Sequence, residues 1–244
     1  AHALALGTDP IALMAEIMGK ATGLCAGRGG SKHLSDPAHG LVATSAIVGA
    51  SVPLAAGAAL TAKTLGTGQV ALAFSGDGAA NQGAVFETLT LGAVLTLPLI
   101  VIVENNGYGQ TTAAAYASAG QAIAIRARGF GIASETVDGS SVKQVWAAVE
   151  RAVQAARAGR GMHLIEAHVP RLEGFFSLDD QAYRGAEERA HLARERCPLA
   201  RFPDGDGSAL DRSRLDALAE AEARLIHQAV CDARTAADAV PAGP

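Results

Sequence analysis

Two apolar segments, each followed by a polar turn, constrain the fold of this chain most. Residues 70–75 (V-A-L-A-F-S) precede Gly76-Asp77-Gly78, and residues 99–103 (L-I-V-I-V) precede Glu104-Asn105-Asn106-Gly107. Segments that are apolar on both faces are typical of strands buried inside a parallel sheet. Residues 81–94 between them have apolar side chains at helical spacing. The sequence therefore predicts a strand–helix–strand unit with a right-handed crossover.

The flanking segments continue this alternation of helices and strands. We expect helices over residues 52–65 and 141–158, and strands over residues 134–137 and 162–169. The second helix would be capped by Ser140 or Ser141. Its apolar face would consist of Val142, Val145, Trp146, Val149 and Val153. The predicted fold class is α/β, with a doubly wound, mostly parallel sheet and a C-terminal helical extension.

The chain becomes more polar after Pro170. Residues 171–185 are predicted to form an irregular loop, and residues 186–196 and 208–239 to form helices. The Pro- and Gly-rich residues 198–207 would separate the helices, and their second Gly-Asp-Gly has no strand before it, so it is predicted to be a turn. We divide the chain into an α/β domain at residues 1–170, an active-site loop at residues 171–185 and a helical segment at residues 186–244.

Composition excludes several classes of protein. The 244 residues are 49% hydrophobic with a net charge of -4, which argues against disorder and against binding to nucleic acid. No apolar run reaches the roughly 18 to 20 residues that span a bilayer, so no membrane association is expected. Three distant cysteines (Cys25, Cys197 and Cys231) indicate a reducing compartment, which predicts a cytoplasmic protein. The chain begins without Met, and we expect further residues upstream.

The two polar turns contain the oxygen ligands that Mg²⁺ prefers. Asp77 offers a carboxylate, Asn106 an amide oxygen, and the turn at Gly107-Tyr108 a backbone carbonyl. Glycines at 76 and 78 allow backbone N–H groups to approach a diphosphate, and a helix beginning near Asn81 would direct its positive end to the same place. The alternative is that these residues form ordinary turns.

Three segments resemble the alpha subunits of thiamine diphosphate-dependent 2-oxoacid dehydrogenases. They are G-D-G-A-A-N-Q-G at residues 76–83, I-V-G-A-S-V-P-L at residues 47–54 and G-R-G-G-S-K-H at residues 27–33. This family includes the pyruvate, branched-chain and acetoin dehydrogenase complexes. The resemblance implies that residues 1–170 are a thiamine diphosphate-binding domain, incomplete at its N-terminal side. It also implies an oxidoreductase that cleaves a C–C bond next to a carbonyl and passes the acyl group to a lipoyl carrier.

The resemblance further implies cofactors, partners and site residues. The cofactors are thiamine diphosphate and Mg²⁺, and the partners are a beta subunit, in a heterotetramer of two alpha and two beta chains, and a lipoyl-bearing acyltransferase. The implied metal ligands are Asp77, Asn106 and the Tyr108 carbonyl. The implied cofactor-binding residues are Ala46, Val48, Gly76, Asp77, Gly78, Ala79, Asn106, Tyr108, Tyr183 and Arg184. His33 is the implied catalytic residue, with a loop histidine bonded only to backbone as the alternative.

One position departs from the family pattern. Residues 171–184 retain Arg171, Asp179, Tyr183 and Arg184, with a D-x-Q-x-Y-R spacing that is more similar to the acetoin branch. Position 175 is Phe where the family has an active-site His, and a phenyl ring cannot transfer a proton. This leaves open a family member with altered chemistry, or a non-catalytic subunit that binds cofactor or a partner. The resemblance also implies that the beta subunit supplies the glutamate at the cofactor's pyrimidine, so the chain alone would be inactive.

Overall fold

The computed structural model describes residues 1–118, 122–205 and 212–240 of the protein. Its strands and helices follow one another in the alternating order that the sequence predicts. In chain order they are α1 (His2–Ala5), α2 (Pro10–Ile17), α3 (Ser51–Leu65), β1 (Ala71–Gly76), α4 (Gly83–Val94), β2 (Leu99–Asn105), β3 (Tyr108–Gly109), β4 (Thr112–Ala113), α5 (Ala114–Ala117), α6 (Ile123–Arg128), β5 (Ala133–Asp138), α7 (Val142–Arg157), β6 (His163–His168), α8 (Ala186–His191), α9 (Pro198–Gly205) and α10 (Arg212–Thr235).

Four of the strands form one parallel sheet in the order β1-β2-β6-β5. Residue Ala71 is paired with Leu99 and Gly76 with Glu104, so β1 and β2 end side by side. Each of these strands lies within two residues of its predicted bounds. Sequence reasoning did not predict β3 and β4, which form a short antiparallel hairpin just after β2.

The β2 strand is buried on both faces because helices cover both sides of the sheet. Leu99, Val101 and Val103 belong to a core shared with α3, α4 and α6, whereas Ile100 and Ile102 belong to a second core shared with α7. Alternate side chains of a strand point to opposite faces, so a strand in this position must be apolar throughout. The predicted doubly wound α/β sheet is confirmed.

The buried face of α7 differs from the predicted one. Alanines at positions 148, 152, 155 and 156 are buried, whereas the Trp146 side chain is 72% exposed and Val142 is also exposed. Val145, Val149 and Val153 pack at the margin of the core. Small side chains let the helix axis approach the sheet closely, and an indole between them would force the two apart. The cap is confirmed at Ser141, whose Oγ accepts the Gln144 N–H at 3.3 Å.

The segment predicted as a linker at residues 198–207 contains a helix. Helix α9 begins at Pro198, a favourable first helical residue, and it follows α8 and a π-helical turn at Leu192–Arg196. Arg196 and Arg201 donate to the Asp138 carboxylate at 2.8 and 2.9 Å, which ties this segment to the end of β5. Residues 206–211, which include most of the second Gly-Asp-Gly and the predicted start of the last helix, lie outside the described residues.

The chain forms two compact units, Val48–Ala209 and a second one in which Ala1–Ile47 joins Leu210–Pro244. The second unit pairs its two chain ends: Ala21 N–H donates to Ala237 O at 2.9 Å, and Ala239 N–H donates to Gly19 O at 3.0 Å. These two units differ from the three segments predicted from the sequence, which are divided at residues 170 and 185. The three segments concern function, and they stay a prediction. Among the described helices, none is long and apolar enough to cross a membrane.

A buried carboxylate organises the glycine-rich loop of the unit formed by the chain ends. Glu16, on α2, is fully buried and accepts backbone N–H groups from Cys25, Gly27, Gly29 and Gly30 at 2.6–3.1 Å. Burial raises the pKa of Glu16, but these four hydrogen bonds outweigh burial and hold it below the usual value. Glu16 therefore fixes the conformation of the loop that leads to His33.

Candidate functional site

The two polar turns predicted to form a site lie next to each other at the carboxyl ends of β1 and β2. Asp77 follows the last residue of β1, and Asn106 follows the last residue of β2. The backbone N–H groups of Gly78 and Asn106 lower the pKa of the Asp77 carboxyl, so both turns lie close to this side chain. Ligands of open parallel sheets bind at this edge.

Asp77 is a buried carboxylate with spare bonding capacity. The residue is 3% exposed, and its Oδ2 atom has no hydrogen-bond partner among the described residues. Burial raises the pKa of Asp77, while the N–H groups of Gly78 and Asn106 and the positive charge of Arg171 oppose that rise. A buried carboxylate oxygen without a partner is costly unless a cation or a proton joins it. This oxygen therefore suits a hard cation such as Mg²⁺.

The turn after β2 is fixed by its own side chains. Asn106 Oδ1 accepts the Tyr108 N–H at 3.0 Å, and Asn105 Oδ1 accepts the Gly107 N–H at 3.1 Å. Gly107 has a φ of +82°, a conformation that favours glycine. The Asn106 amide oxygen and the Tyr108 carbonyl are both within this turn, where the sequence predicted two oxygen ligands.

The first turn approaches the second at glycine positions. A Cβ atom on Gly78 would lie 3.0 Å from the Gly109 Cα atom, closer than ordinary packing allows. A short 3₁₀ turn at Ala79–Asn81 follows, and α4 begins at Gly83 instead of near Asn81 as expected. Gly76, Gly78 and Ala79 thus present backbone next to Asp77, without a bulky side chain between the turns.

A second carboxylate, which sequence reasoning missed, positions Asn105. Glu166 is 1% exposed inside β6 and accepts Asn105 Nδ2 at 2.7 Å and the Ala124 N–H at 2.9 Å. One buried side chain therefore joins the turn after β2 to the first turn of α6. The sequence signal was a charged residue between the apolar residues 164–165 and Ala167 of a buried strand.

The loop after β6 is built around Asp179. Its carboxylate accepts the Phe175 N–H at 2.7 Å, the Gln181 N–H at 3.0 Å and the Tyr183 hydroxyl at 2.8 Å, and pairs with Arg171 at 3.3 Å. The Phe175 N–H lowers the pKa of Asp179 most, and these other contacts add to it, against the effect of burial. The loop is therefore a specific structure although it has no helix or strand.

The same loop packs on the turn after β2. Arg171 donates to the carbonyl of Gln110, and the rings of Tyr108 and Tyr183 lie 5.7 Å apart. Arg184 is buried, donates to the Arg171 carbonyl and the Gln181 side chain at 2.9 Å each, and lies over the Tyr108 ring. Tyr183 and Arg184 thus hold the loop against Tyr108. A direct contact of either with a diphosphate stays a prediction.

The remaining predicted residues lie apart from this cluster in the chain. His33 and Ala46 belong to the unit formed by the chain ends, and Val48 is the first residue of the other; all three are exposed. Cys25 Sγ lies 3.6 Å from the His33 carbonyl oxygen. Their roles stay predictions. Phe175 and Phe176 are 57% and 53% exposed with their rings edge to face, so the loop presents an apolar tip.

Within the described ranges, no group of three or more His, Cys, Asp or Glu side chains is arranged so that it could hold a metal ion. A cation at the strand ends would therefore have one carboxylate ligand, completed by amide and carbonyl oxygens and by oxygens of the bound molecule. That donor set fits Mg²⁺ held together with a phosphorylated ligand. The fold defines a parallel α/β protein, and this edge offers oxygen donors and backbone N–H groups that suit a cation and a phosphate.

The sequence assigns the protein within that class. Residues 1–233 match the dehydrogenase E1 component family, and the chain belongs to this family. Among its relatives are the alpha subunits of acetoin:2,6-dichlorophenolindophenol oxidoreductase from Cupriavidus necator (41% identical over 96% of this chain and 71% of that one) and Bacillus subtilis (42%, over 94% and 69%). The alpha subunit of the Zymomonas mobilis pyruvate dehydrogenase E1 component is 40% identical over 81% of this chain and 56% of its own. The family predicted from the residues is confirmed.

Proposed function

We propose that this chain is the alpha subunit of a thiamine diphosphate-dependent dehydrogenase that acts on acetoin or a 2-oxoacid. The observation that best supports this is the buried Asp77 carboxylate, with one oxygen unpartnered among the described residues, beside the Asn106 turn. Its relatives with 41% and 42% identity are named for acetoin oxidation. We therefore favour acetoin as the substrate, with a lipoyl-bearing acyltransferase as the acceptor of the acyl group.

The chain's own residues would bind and orient the cofactor. Asp77, Asn106 and the Tyr108 carbonyl would hold Mg²⁺, and the backbone at Gly76, Gly78 and Ala79 would bind the diphosphate together with that cation. When bound, thiamine diphosphate supplies a carbon nucleophile and an electron sink for cleavage of a C–C bond next to a carbonyl. The loop around Asp179 would cover the diphosphate end and exclude water.

The site needs a second chain under this proposal. The carboxyl group that would hydrogen-bond the cofactor's pyrimidine nitrogen would come from a beta subunit, and the active site would form between alpha and beta chains in a heterotetramer. The chain alone would then have no dehydrogenase activity. The cytoplasmic location predicted from three cysteines, all free thiols in the structure, is part of the same proposal.

The direct experiment is an assay of the full-length chain co-produced with its beta subunit. Reduction of 2,6-dichlorophenolindophenol is measured with acetoin, pyruvate and branched-chain 2-oxoacids, with and without thiamine diphosphate and Mg²⁺. We expect cofactor-dependent reduction that is fastest with acetoin, and none from the alpha chain alone. No reduction with any substrate, although the complex assembles, would contradict the proposal and favour a non-catalytic subunit.

Phe175 favours a second candidate function, a family member with altered chemistry. Its phenyl ring is at the exposed tip of the loop where the family has a proton-transferring His, and general acid–base groups contribute about 10²–10⁴-fold to rate. Replacing Phe175→His tests it, with Phe176→His as the matched control on the same tip. A gain of about 10-fold or more for Phe175→His alone would support altered chemistry. No gain would support the ordinary reaction.

A further inference from the structure

Arg126 connects α6 to the turn that follows β1. Its Nη1 atom donates to Asn81 Oδ1 at 2.7 Å, across 45 residues of sequence. Asn81 is the last residue of the 3₁₀ turn that begins two residues after Asp77. The Asn81 side chain is held from its other end as well, because its Nδ2 donates to Ser118 Oγ at 3.2 Å. The position of this turn therefore depends on an arginine from a different element.

The Arg126 guanidinium packs against aromatic rings that restrict its movement. Arg126 lies over the ring of Phe86 on α4, 5.9 Å from its centroid, and Phe86 in turn stacks on Phe130. Its Nε and Nη2 atoms are buried and have no hydrogen-bond partner among the described residues. A charged group that is largely enclosed and makes one strong bond contributes more through that bond than a surface arginine does.

Arg126 also lies beside the strand that leads into this turn. Arg126 and Ser75 both line a small internal cavity, and Ser75 Oγ is also buried without a partner among the described residues. Ser75 is the penultimate residue of β1, two positions before Asp77. Most of the residues that line this cavity are apolar, and Arg126 and Ser75 share one enclosed space beside the end of β1.

Helix α6 is itself fixed to the other turn of the site. Glu166 accepts the Ala124 N–H and the Asn105 side chain, and Ser134 Oγ donates to the Ala124 carbonyl at 2.6 Å. The helix thus contacts the Asn105–Asn106 turn through Glu166 and the Asp77–Asn81 turn through Arg126. Helix α6 is therefore bonded to both turns of the site.

We propose that Arg126 is a positioning residue for the diphosphate and metal site, acting through Asn81. It does not touch the cofactor; it keeps the Gly78–Asn81 backbone in the conformation that binds the diphosphate. The part of this inference that concerns cofactor affinity rests on the proposed function. The part that concerns the order of the turn does not, and it can be measured without cofactor.

The test compares Arg126→Met and Arg126→Lys with Arg128→Met in the full-length alpha–beta complex. Met retains the length of the side chain without its donors, and Lys retains the charge without the planar fork. Arg128 is the matched control because it lies on the same helix, is exposed, and has its Nη2 atom at the long distance of 3.5 Å from the Ser134 carbonyl oxygen. The readouts are amide exchange of Asn81 and Gln82 without cofactor, and the Kd for thiamine diphosphate in Mg²⁺.

We expect Arg126→Met to accelerate exchange of both amides, and to raise the Kd, by about 10-fold or more each. Arg126→Lys should recover part of both losses, and Arg128→Met should stay within about twofold of wild type. In an Asn81→Ala background, Arg126→Met should have little further effect, because the contact is already gone.

Unchanged exchange in Arg126→Met would overturn the inference, and so would an equal effect of Arg128→Met, which would indicate general destabilisation of α6. If wild type binds no thiamine diphosphate, the proposed function fails. The exchange measurement then still decides whether Arg126 orders the turn.

Discussion

The ring of Tyr183 lies 5.7 Å from the ring of Tyr108, so the loop after β6 is packed directly on the turn after β2. Arg171 and Arg184 lie over the same Tyr108 ring at 5.4 and 5.3 Å. Because Tyr108 is two residues from Asn106, we expect a change in the loop to move the predicted metal ligands. A change at those ligands should likewise move the loop. The loop and the turn therefore pack together as one structure.

Replacing Asp179→Asn should loosen the loop. The carboxylate accepts two backbone N–H groups and the Tyr183 hydroxyl and pairs with Arg171, and an amide cannot accept all of them. We expect amide exchange of Phe175 and Gln181 to rise about 10-fold or more, since hydrogen bonds to a charged group are the strong ones. The exposed neighbour Asp180→Asn is the control and should leave these two amides protected. Equal exchange in both variants would show that Asp179 does not organise the loop.

Replacing Gly78→Ala should separate the two turns. The new Cβ would lie 3.0 Å from the Gly109 Cα, and backbone cannot yield as a flexible side chain can. We expect Mg²⁺-dependent affinity for thiamine diphosphate to fall about 10-fold or more, because misplacing a binding group by a fraction of an ångström is costly. Gly83→Ala, where a Cβ meets nothing within 4 Å, is the matched control. A calorimetric titration that gives the same Kd for both variants would refute the role of this close approach.

Replacing Glu16→Gln should destabilise the glycine-rich loop by about 2–4 kcal/mol at pH 7, because a buried acceptor of four N–H groups loses its charge. The pKa of Glu16 is held below its usual value. Its contribution is therefore present above the unfolded-state pKa and is lost as the pH falls through the lower folded-state value.

Exchange of the Gly29 amide measures the free energy of local opening in wild type and in Glu16→Gln. The difference in this free energy between the two proteins should be largest near pH 7. The difference should narrow in strongly acidic solution. Glu187→Gln, an exposed residue, should match wild type at every pH. A difference between wild type and Glu16→Gln that does not depend on pH would exclude the charge as its cause.

The sheet could be predicted from the sequence because its signal is local. A run such as residues 99–103 is apolar on both faces, and the polar residues that follow it mark the strand end, so the pairing of Asp77 with the Asn106 turn followed from adjacent parallel strands. The packing of α7 could not be predicted this way. Val142 and Trp146 extend its apolar stripe in sequence, but close approach of the helix to the sheet selects the alanines at positions 148 and 152.

The contacts that hold the site together could not be predicted from the sequence, for a different reason. Arg126 meets Asn81, and Glu166 meets Asn105, across 45 and 61 residues of chain, so neither pair leaves a pattern in any short window of sequence. The loop around Asp179 was predicted to be irregular, because its structure comes from side chains and not from backbone periodicity. In the sequence, the only sign of this structure is the spacing of the acidic, tyrosine and arginine residues in the loop.

In the proposed function, Asp77 and the Asn106 turn bind a cation that holds a diphosphate. The most direct measurement is calorimetric titration of thiamine diphosphate into the alpha–beta complex, with Mg²⁺ and with chelator, for wild type and Asp77→Asn. We predict that wild type binds thiamine diphosphate only with Mg²⁺, and that Asp77→Asn weakens this binding by about 100-fold or more. Asp77 would bind the cation directly, and even residues that only support metal ligands contribute about 10–100-fold to metal affinity. Equal affinity in the variant, or equal affinity in chelator, would contradict the account.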